Sequence, residues 1–378
     1  MYQKNFAWIA TWKITRRCNL FCVYCDHASM RKATHGENID YSKIIDTLTE
    51  YSPKILNISG GEPSLVDELP AILSEIKKRW NPFIRIVHNG TGPEKLLKSF
   101  PYIDRLVISM DGPDPINTTN RGISGSSVLE KLKSVMPHLK AHDIEVGVNC
   151  VLTTANLKSM REFAEQVRNI SKTLILSFTP VMPPDGPLSI LREESLVHEF
   201  FETYEDLKKQ GFSVMHVFDG ITRFHNFKSI QCFNQYFNIR VSPEGQVLTC
   251  AMNTDLNSQH YLYYFRKLLA KNGIKKAFFR IRQKFINSMR DSIDFSCTTI
   301  CTCENWLDLI FLGIYSDSIP IYARGLRSRM TEEDYRRAEA FVKRFINPDF
   351  NSTVLKRIVD GKSSTTTGGN VTNFGTYG

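Results

Sequence analysis

Three cysteines fall within eight residues near the start of the chain, in the run Cys18-Asn19-Leu20-Phe21-Cys22-Val23-Tyr24-Cys25. Thiolates at such spacing can wrap one face of an iron–sulfur cube and leave one iron without a protein ligand. The competing chemistry is structural zinc, which needs four ligands and would have to recruit His27. A second group of thiols, Cys232, Cys250, Cys297, Cys301 and Cys303, lies far along the chain, and Cys150 stands alone. Nine cysteines, an odd number behind a start with no secretory signal, argue for reduced thiols in the cytoplasm rather than a disulfide scaffold. Clustered thiols in a reducing compartment imply metal or redox chemistry.

A scaffold must hold those thiols. The 378 residues suggest two domains or one large one, at ~150 residues per domain. Hydrophobic residues make up 42% and charged residues 23%, which rules out wholesale disorder. No run of ~18 uncharged apolar residues exists, so no transmembrane helix is expected. The net charge of +9 is modest for this length and reads as solubility rather than an acidic partner.

From residue 6 to 210, short β-type runs alternate with helical patterns. The expected strands are Phe6 to Thr15, Ile55 to Ser59, Phe83 to His88, Arg105 to Met110, Glu145 to Leu152 and Thr173 to Phe178. Amphipathic helices are expected over Val66 to Arg79, where Leu69, Ile72, Leu73 and Ile76 repeat at helical spacing, over Ser127 to Ala141 and over Leu157 to Val167. Such alternation implies βα units on a parallel sheet buried on both faces. Six units fall short of the eight in a closed barrel, so an α/β fold with an open, partial (β/α)6 barrel is expected. The thiol run follows the first strand, at the carboxyl end, where such barrels build active sites.

Here the residues resemble the radical S-adenosylmethionine (SAM) enzymes. C-x-x-x-C-x-x-C, with Tyr24 as the aromatic before the last cysteine, follows the first strand. Gly60-Gly61-Glu62-Pro63 follows the second strand and matches the family's GGEP. The resemblance implies that the glycines let backbone approach the methionine part of SAM and that Glu62 suits its ammonium group. His88-Asn89-Gly90 stands where the family often has TNG, and Ser109-Met110-Asp111-Gly112 resembles its SxDG, near the ribose. Asn120-Arg121-Gly122 resembles the end of HxxxRG, whose arginine is expected to pair with the SAM carboxylate; Asn117 stands in place of the histidine. Each motif alone is common in turns. Their order, one at each successive strand end, is hard to obtain by chance. The resemblance implies a [4Fe–4S] cluster on Cys18, Cys22 and Cys25, and reductive cleavage of SAM to methionine and a 5′-deoxyadenosyl radical that takes hydrogen from substrate carbon.

Beyond residue 210 the rhythm changes. Asn238 to Val241 and Val247 to Ala251 flank Ser242-Pro243-Glu244-Gly245, a β-hairpin signal. Cys232, twelve residues, Gly245, four residues and Cys250 are similar to the C-x(9–15)-G-x(4)-C signature of the SPASM and twitch extensions of this family. Five late cysteines fit one auxiliary [4Fe–4S] cluster, the twitch arrangement. Cys232 and Cys250 are its firm ligands, and two of Cys297, Cys301 and Cys303 complete it. Expected boundaries are 6–210 for the barrel, 211–310 for a twitch-like hairpin-plus-helix extension, 311–360 for a C-terminal helical segment and 361–378 for a disordered tail. A helix is expected from Thr331, with Asp334 as capping partner, to about Phe345. The stretch Tyr264 to Arg290 carries Phe278, Ile281, Phe285 and Met289 as one helical stripe with a basic opposite face, packed on the barrel or meeting a peptide or membrane surface.

Cys150 shares a strand face with Val148 and Leu152, so it is read as core filling. The alternative for Cys150, and for a spare Cys303, is donating hydrogen to a substrate radical. The resemblance implies maturation of a ribosomally made peptide, or dehydrogenation or epimerisation of a small molecule such as an aminosugar. A barrel starting about a dozen residues into the chain leaves no room for the leader-binding domain of many peptide maturases, which lowers the peptide reading without removing it. An external donor of flavodoxin or ferredoxin type is implied, and no nucleic-acid module is recognisable.

Overall fold

The computed structural model describes residues 7–25, 39–181, 186–216, 230–231, 237–248, 296–297, 319–345 and 348–361. Two compact units divide the chain, Met1–Asp308 and Leu309–Gly378.

In the first unit the elements are β1 (Ile9–Lys13), α1 (Tyr41–Tyr51), β2 (Ile55–Ser59), α2 (Leu69–Arg79), β3 (Phe83–His88), β4 (Arg105–Ser109), α3 (Ile116–Arg121), α4 (Gly125–Ala141), β5 (Glu145–Leu152), α5 (Met160–Ile170), β6 (Ile175–Pro180), α6 (Glu194–Lys209) and β7 (Val214–His216). There follow β8 (Ile230–Gln231), β9 (Asn238–Val241), β10 (Val247–Leu248) and β11 (Ser296–Cys297). Nine strands form one sheet in the order β10-β9-β1-β2-β3-β4-β5-β6-β7, with β8 and β11 paired separately. Neighbours from β9 through β7 run parallel, and β10 is antiparallel to β9. The six expected strands are all present. Two features go beyond them: β7 extends one edge, and β9 lies parallel beside β1, with Ile9 opposite Asn238 and Thr11 opposite Arg240. Three residues in β7 are too few to show a period, and the β1–β9 pairing joins segments far apart in sequence.

Side chains alternate across the sheet. Ala10, Trp12, Leu56, Ile58, Ile84, Ile86, Leu106, Ile108, Val148, Leu176, Phe178 and Ile239 enter the hydrophobic core. That core includes Leu69, Leu73 and Ile76 of α2, Leu132 and Leu139 of α4, and Phe163 and Val167 of α5. Burial of each Val, Leu, Ile or Phe among them contributes roughly 1.5–3 kcal/mol. The opposite face mixes apolar residues such as Ile9, Ile55 and Val107 with polar ones. Thr11, Lys13, Asn57, Ser59, Arg85, Ser109, Asn149, Ser177, Thr179 and Arg240 occupy the alternate positions, as the strand registers require.

In the second unit, helices run over Ile319–Ala323, Glu332–Phe345 and Ser352–Val359. The expected cap is formed: the Thr331 N–H donates to Asp334 Oδ2 (2.8 Å) and the Asp334 N–H donates back to Thr331 Oγ1 (3.2 Å). Among the described residues, no helix is long and apolar enough to cross a membrane. Cys232, Cys250, Cys301, Cys303, His27, the basic stretch 264–290 and the tail beyond Gly361 lie outside the described residues.

Candidate functional site

The thiol loop leaves β1 and is fastened at several places. Against the end of β2, the Gly61 N–H donates to Thr15 O and the Glu62 N–H to Arg17 O, both at 2.7 Å. A Cβ on Gly60 would stand 2.4 Å from Thr15 O, and one on Gly61 would stand 2.0 Å from Arg17 O. Gly60 also has φ +145°, where side chains are rarely tolerated. These glycines therefore have a partner the sequence did not indicate, the backbone of the thiol loop itself. Beside the end of β3, Asn89 Nδ2 donates to Asn19 Oδ1 (2.7 Å) and approaches Cys18 Sγ (3.8 Å), and Asn19 Nδ2 donates to Thr91 Oγ1 (2.9 Å). At the end of α3, Asn120 O accepts from the Val23 N–H (2.9 Å). Arg16 forms an ion pair with Glu244, in the turn between β9 and β10.

Cys22 is buried, while Cys18 and Cys25 are half-buried. Burial pushes the Cys22 thiol up, Cys25, Asp111 and Cys18 add to this, and Arg121 pulls the other way. Among the described residues, no group of three or more His, Cys, Asp or Glu side chains converges to hold a metal ion. The donor set, three thiols of which one is half-neighboured by a guanidinium, suits an iron–sulfur cluster, whose charge that cation would balance.

Glu62 is wholly buried and caps the turn Pro63–Leu65. Its Oε1 accepts from the Ser64 N–H (2.9 Å) and its Oε2 from the Asn89 N–H (2.7 Å), which ties the end of β2 to the end of β3. His88 Nδ1 accepts from the Gly90 N–H (2.8 Å), so the neutral ring carries its proton on Nε2, 3.5 Å from Glu62 Oε1. Burial lowers the His88 pKa, against the pull of Glu62. A carboxylate has room for about four hydrogen bonds, so the two amides leave Glu62 further acceptor capacity.

Asp111, beyond β4, is the hub of the site. Its Oδ2 accepts from Tyr24 Oη (2.5 Å), and its Oδ1 accepts from Arg121 Nη2 (2.9 Å) and the Val151 N–H (3.0 Å). The Arg121 guanidinium lies 5.6 Å from the Tyr24 ring centre. Burial works against the charged form of Arg121, but Asp111 and Tyr24 outweigh it and hold the guanidinium above its usual pKa. Burial, reinforced by Asp111, lifts the Tyr24 phenol well above its usual range. Arg121 Nε and Asn120 Nδ2 are buried and have no hydrogen-bond acceptor. Two orphaned donors beside the thiol loop fit an anionic group such as the carboxylate of SAM. Asn117 is spent on structure, accepting from the Asp111 N–H (2.8 Å) and donating to Ile123 O (2.8 Å). Ser109 lies on the polar face, opposite Asn149.

Cys150 sits in the helix-packed core, 1% exposed. Its thiol approaches Asp111 O (3.6 Å), and burial with the Asp111 charge pushes it well above the usual thiol range. Asn156 was not foreseen. Its Nδ2 donates to Asp111 O and Val151 O, both at 2.9 Å, and no sequence motif marks it. Asn19 and Asn120 were also missed, although both lie inside the recognised motifs.

Three thiols, a buried carboxylate clamp and a buried arginine thus gather at the strand ends of an open parallel α/β sheet. Residues 12–167 match the model of the Radical SAM superfamily. The chain is 28% identical over 176 residues to a probable GTP 3',8-cyclase of Methanococcus maripaludis, covering 45% of this chain and 59% of that protein. It is 27% identical over 218 residues to the AdoMet-dependent heme synthase of Methanosarcina barkeri, covering 54% and 61%. The chain thus spans about three fifths of the curated relatives it matches. Among solved structures, Streptococcus suis SuiB shares the fold with a TM-score of 0.52 at 15% identity, over 67% of this chain and 62% of that one. SuiB bound to precursor peptide SuiA aligns with a TM-score of 0.51 at 15% identity, over 67% and 61%.

Proposed function

We propose that the chain is an enzyme that cleaves SAM reductively and abstracts hydrogen from a substrate carbon, in the maturation of a ribosomally synthesised peptide. When bound, a reduced cluster and SAM supply a 5′-deoxyadenosyl radical for that step. The observation that carries this reading is the convergence of the Cys18–Cys22–Cys25 loop, Glu62 and the Asp111–Arg121 pair at the ends of β1, β2 and β4. The three thiolates would hold the cluster. Glu62 would take the ammonium of SAM on its remaining lone pairs, with Gly60, Gly61 and Pro63 shaping the turn that presents it. Arg121 Nε would take the carboxylate, with Asp111 and Tyr24 fixing the guanidinium. Asn89 and Ser109 would border the rest of the cofactor.

An auxiliary cluster on Cys232, Cys250 and two of Cys297, Cys301 and Cys303 belongs to the same proposal, as do a flavodoxin- or ferredoxin-type donor and a cytoplasmic setting. In its support, Ile230–Gln231, directly before Cys232, pairs with Ser296–Cys297. The peptide substrate is supported by the fold shared with SuiB. A small-molecule substrate is the second reading, supported by relatives named for a GTP cyclase and a heme synthase.

The test is anaerobic incubation of the reconstituted protein with SAM and dithionite. Formation of 5′-deoxyadenosine and methionine, abolished in the Cys18→Ala, Cys22→Ala, Cys25→Ala triple variant, is expected. Stoichiometric zinc without sulfide in anaerobically purified protein would overturn the reading.

A further inference from the structure

Asn19, Asn89 and Thr91 close a ring of hydrogen bonds beside the first of the three thiols. Gly90, at φ +85°, turns the chain so that the Thr91 N–H donates back to Asn89 Oδ1 (2.9 Å). A backbone N–H can only donate, so this bond fixes which end of the Asn89 amide is the oxygen. Asn89 Nδ2 then has two hydrogens and two acceptors, Asn19 Oδ1 (2.7 Å) and Cys18 Sγ (3.8 Å). With its Oδ1 so engaged, Asn19 is fixed in turn, and its Nδ2 donates to Thr91 Oγ1 (2.9 Å). The Thr91 hydroxyl completes the circuit by donating to Asn89 Oδ1 (2.8 Å). Each orientation follows from the one before.

The ring is itself anchored. The Asn89 N–H donates to Glu62 Oε2 (2.7 Å), and Thr91 O accepts from Lys131 Nζ of α4 (2.8 Å). Asn89 is buried, so its amide has no solvent to turn toward. A donor aimed at sulfur contributes more as the negative charge on that sulfur grows. A cluster held by Cys18, Cys22 and Cys25 would gain one negative charge on taking an electron from its donor. Its sulfurs would then be better acceptors, and hydrogen bonds to the sulfurs are among the features that set such a potential.

We infer that the Asn19–Thr91–Asn89 ring holds the Asn89 amide as a hydrogen-bond donor to Cys18 Sγ and so makes the cluster easier to reduce. This rests on the proposed function, since it needs a cluster on these thiols. Asn89 supplies the donor, and it acts at sulfur, apart from any contact with the cofactor. Thr91 and Asn19 are positioning residues that act through Asn89.

The experiment is an anaerobic redox titration of the reconstituted full-length protein with dithionite, without SAM, followed by electron paramagnetic resonance. It is read on the signal that the Cys18→Ala, Cys22→Ala, Cys25→Ala variant lacks. Asn89→Ala should lower the midpoint potential, disfavouring reduction about tenfold, roughly 59 mV for one electron. Thr91→Val leaves the Cys18 thiol and the Asn89 amide chemically intact. It should shift the midpoint in the same direction but by less, because the Thr91 N–H still holds Asn89. Thr91→Ser keeps the hydroxyl and should match the parent. Parent-like iron content with an unchanged midpoint in Asn89→Ala overturns the inference and leaves the proposed function standing. If Asn89→Ala assembles no cluster, Thr91→Val decides. A Thr91→Val midpoint equal to the parent's, or a Thr91→Ser shift as large as that of Thr91→Val, overturns the role of the ring. A parent with no reducible cluster on the three cysteines overturns both this role and the proposed function.

Discussion

Asp111 and Arg121 form a buried ion pair, Nη2 to Oδ1 at 2.9 Å, in which one carboxylate also secures Tyr24 of the thiol loop and the backbone of β5 at Val151. The pair links three segments that meet only in the folded chain. It also leaves Arg121 Nε with a hydrogen to give.

Removing one partner strands the other charge in the interior. Asp111→Ala is expected to cost about 3–5 kcal/mol, the range for breaking a buried pair. Urea unfolding of anaerobically purified protein reads it directly. A midpoint unchanged from the parent would show that the pair carries no structural burden.

Gly61→Ala tests the fastening of the thiol loop. The added Cβ would meet Arg17 O at 2.0 Å, so the loop must move away from the end of β2. Iron in the reconstituted variant should fall about as far as in Cys22→Ala, although no ligand has been touched. Full iron content would mean that the loop adapts and that the close approach is not what places the thiols.

Glu62→Ala should fail twice. The amides of Ser64 and Asn89 lose their acceptor, at about 1–3 kcal/mol for each buried donor left unsatisfied. SAM affinity should fall as well. Unfolding and SAM titration on the same preparation separate the two, and SAM binding equal to the parent would remove Glu62 from the cofactor site.

His88 sets a pH dependence of stability. Its folded pKa is depressed by burial, so as pH falls through about 6.5 the unfolded chain binds a proton that the folded ring refuses. Stability should therefore fall between about pH 7 and the lower folded pKa, and level off below it as far as this group is concerned. Thermal midpoints across that range should show a flatter profile in His88→Gln. Identical profiles would assign the dependence to other groups.

Metal content distinguishes one cluster from two. Reconstituted protein should hold about eight iron atoms and eight sulfides, and about four after removal of either Cys18, Cys22 and Cys25 or Cys232 and Cys250. Eight irons retained in the second variant would mean that the late cysteines hold no cluster.

The features legible in the sequence are those written in neighbouring residues. Cys18 to Cys25, Gly60 to Pro63, the six strands and the Thr331–Asp334 cap each follow from a local spacing. The spacing reflects local physics: 3.6-residue or two-residue periodicity, a turn, or a side chain reaching its own helix start. Tertiary structure alone decided what these pieces do to one another. It set Gly60 and Gly61 against Thr15 and Arg17, turned Glu62 into a clamp on Asn89, and placed Asn156 under Asp111. It also placed β9 beside β1, bringing Arg240 onto the face that carries Lys13 and Arg85. Those contacts depend on strand register. In a sheet with two-residue alternation, register decides which side chains share a face, and it is settled by the packing of the whole layer against its helices rather than by any one strand.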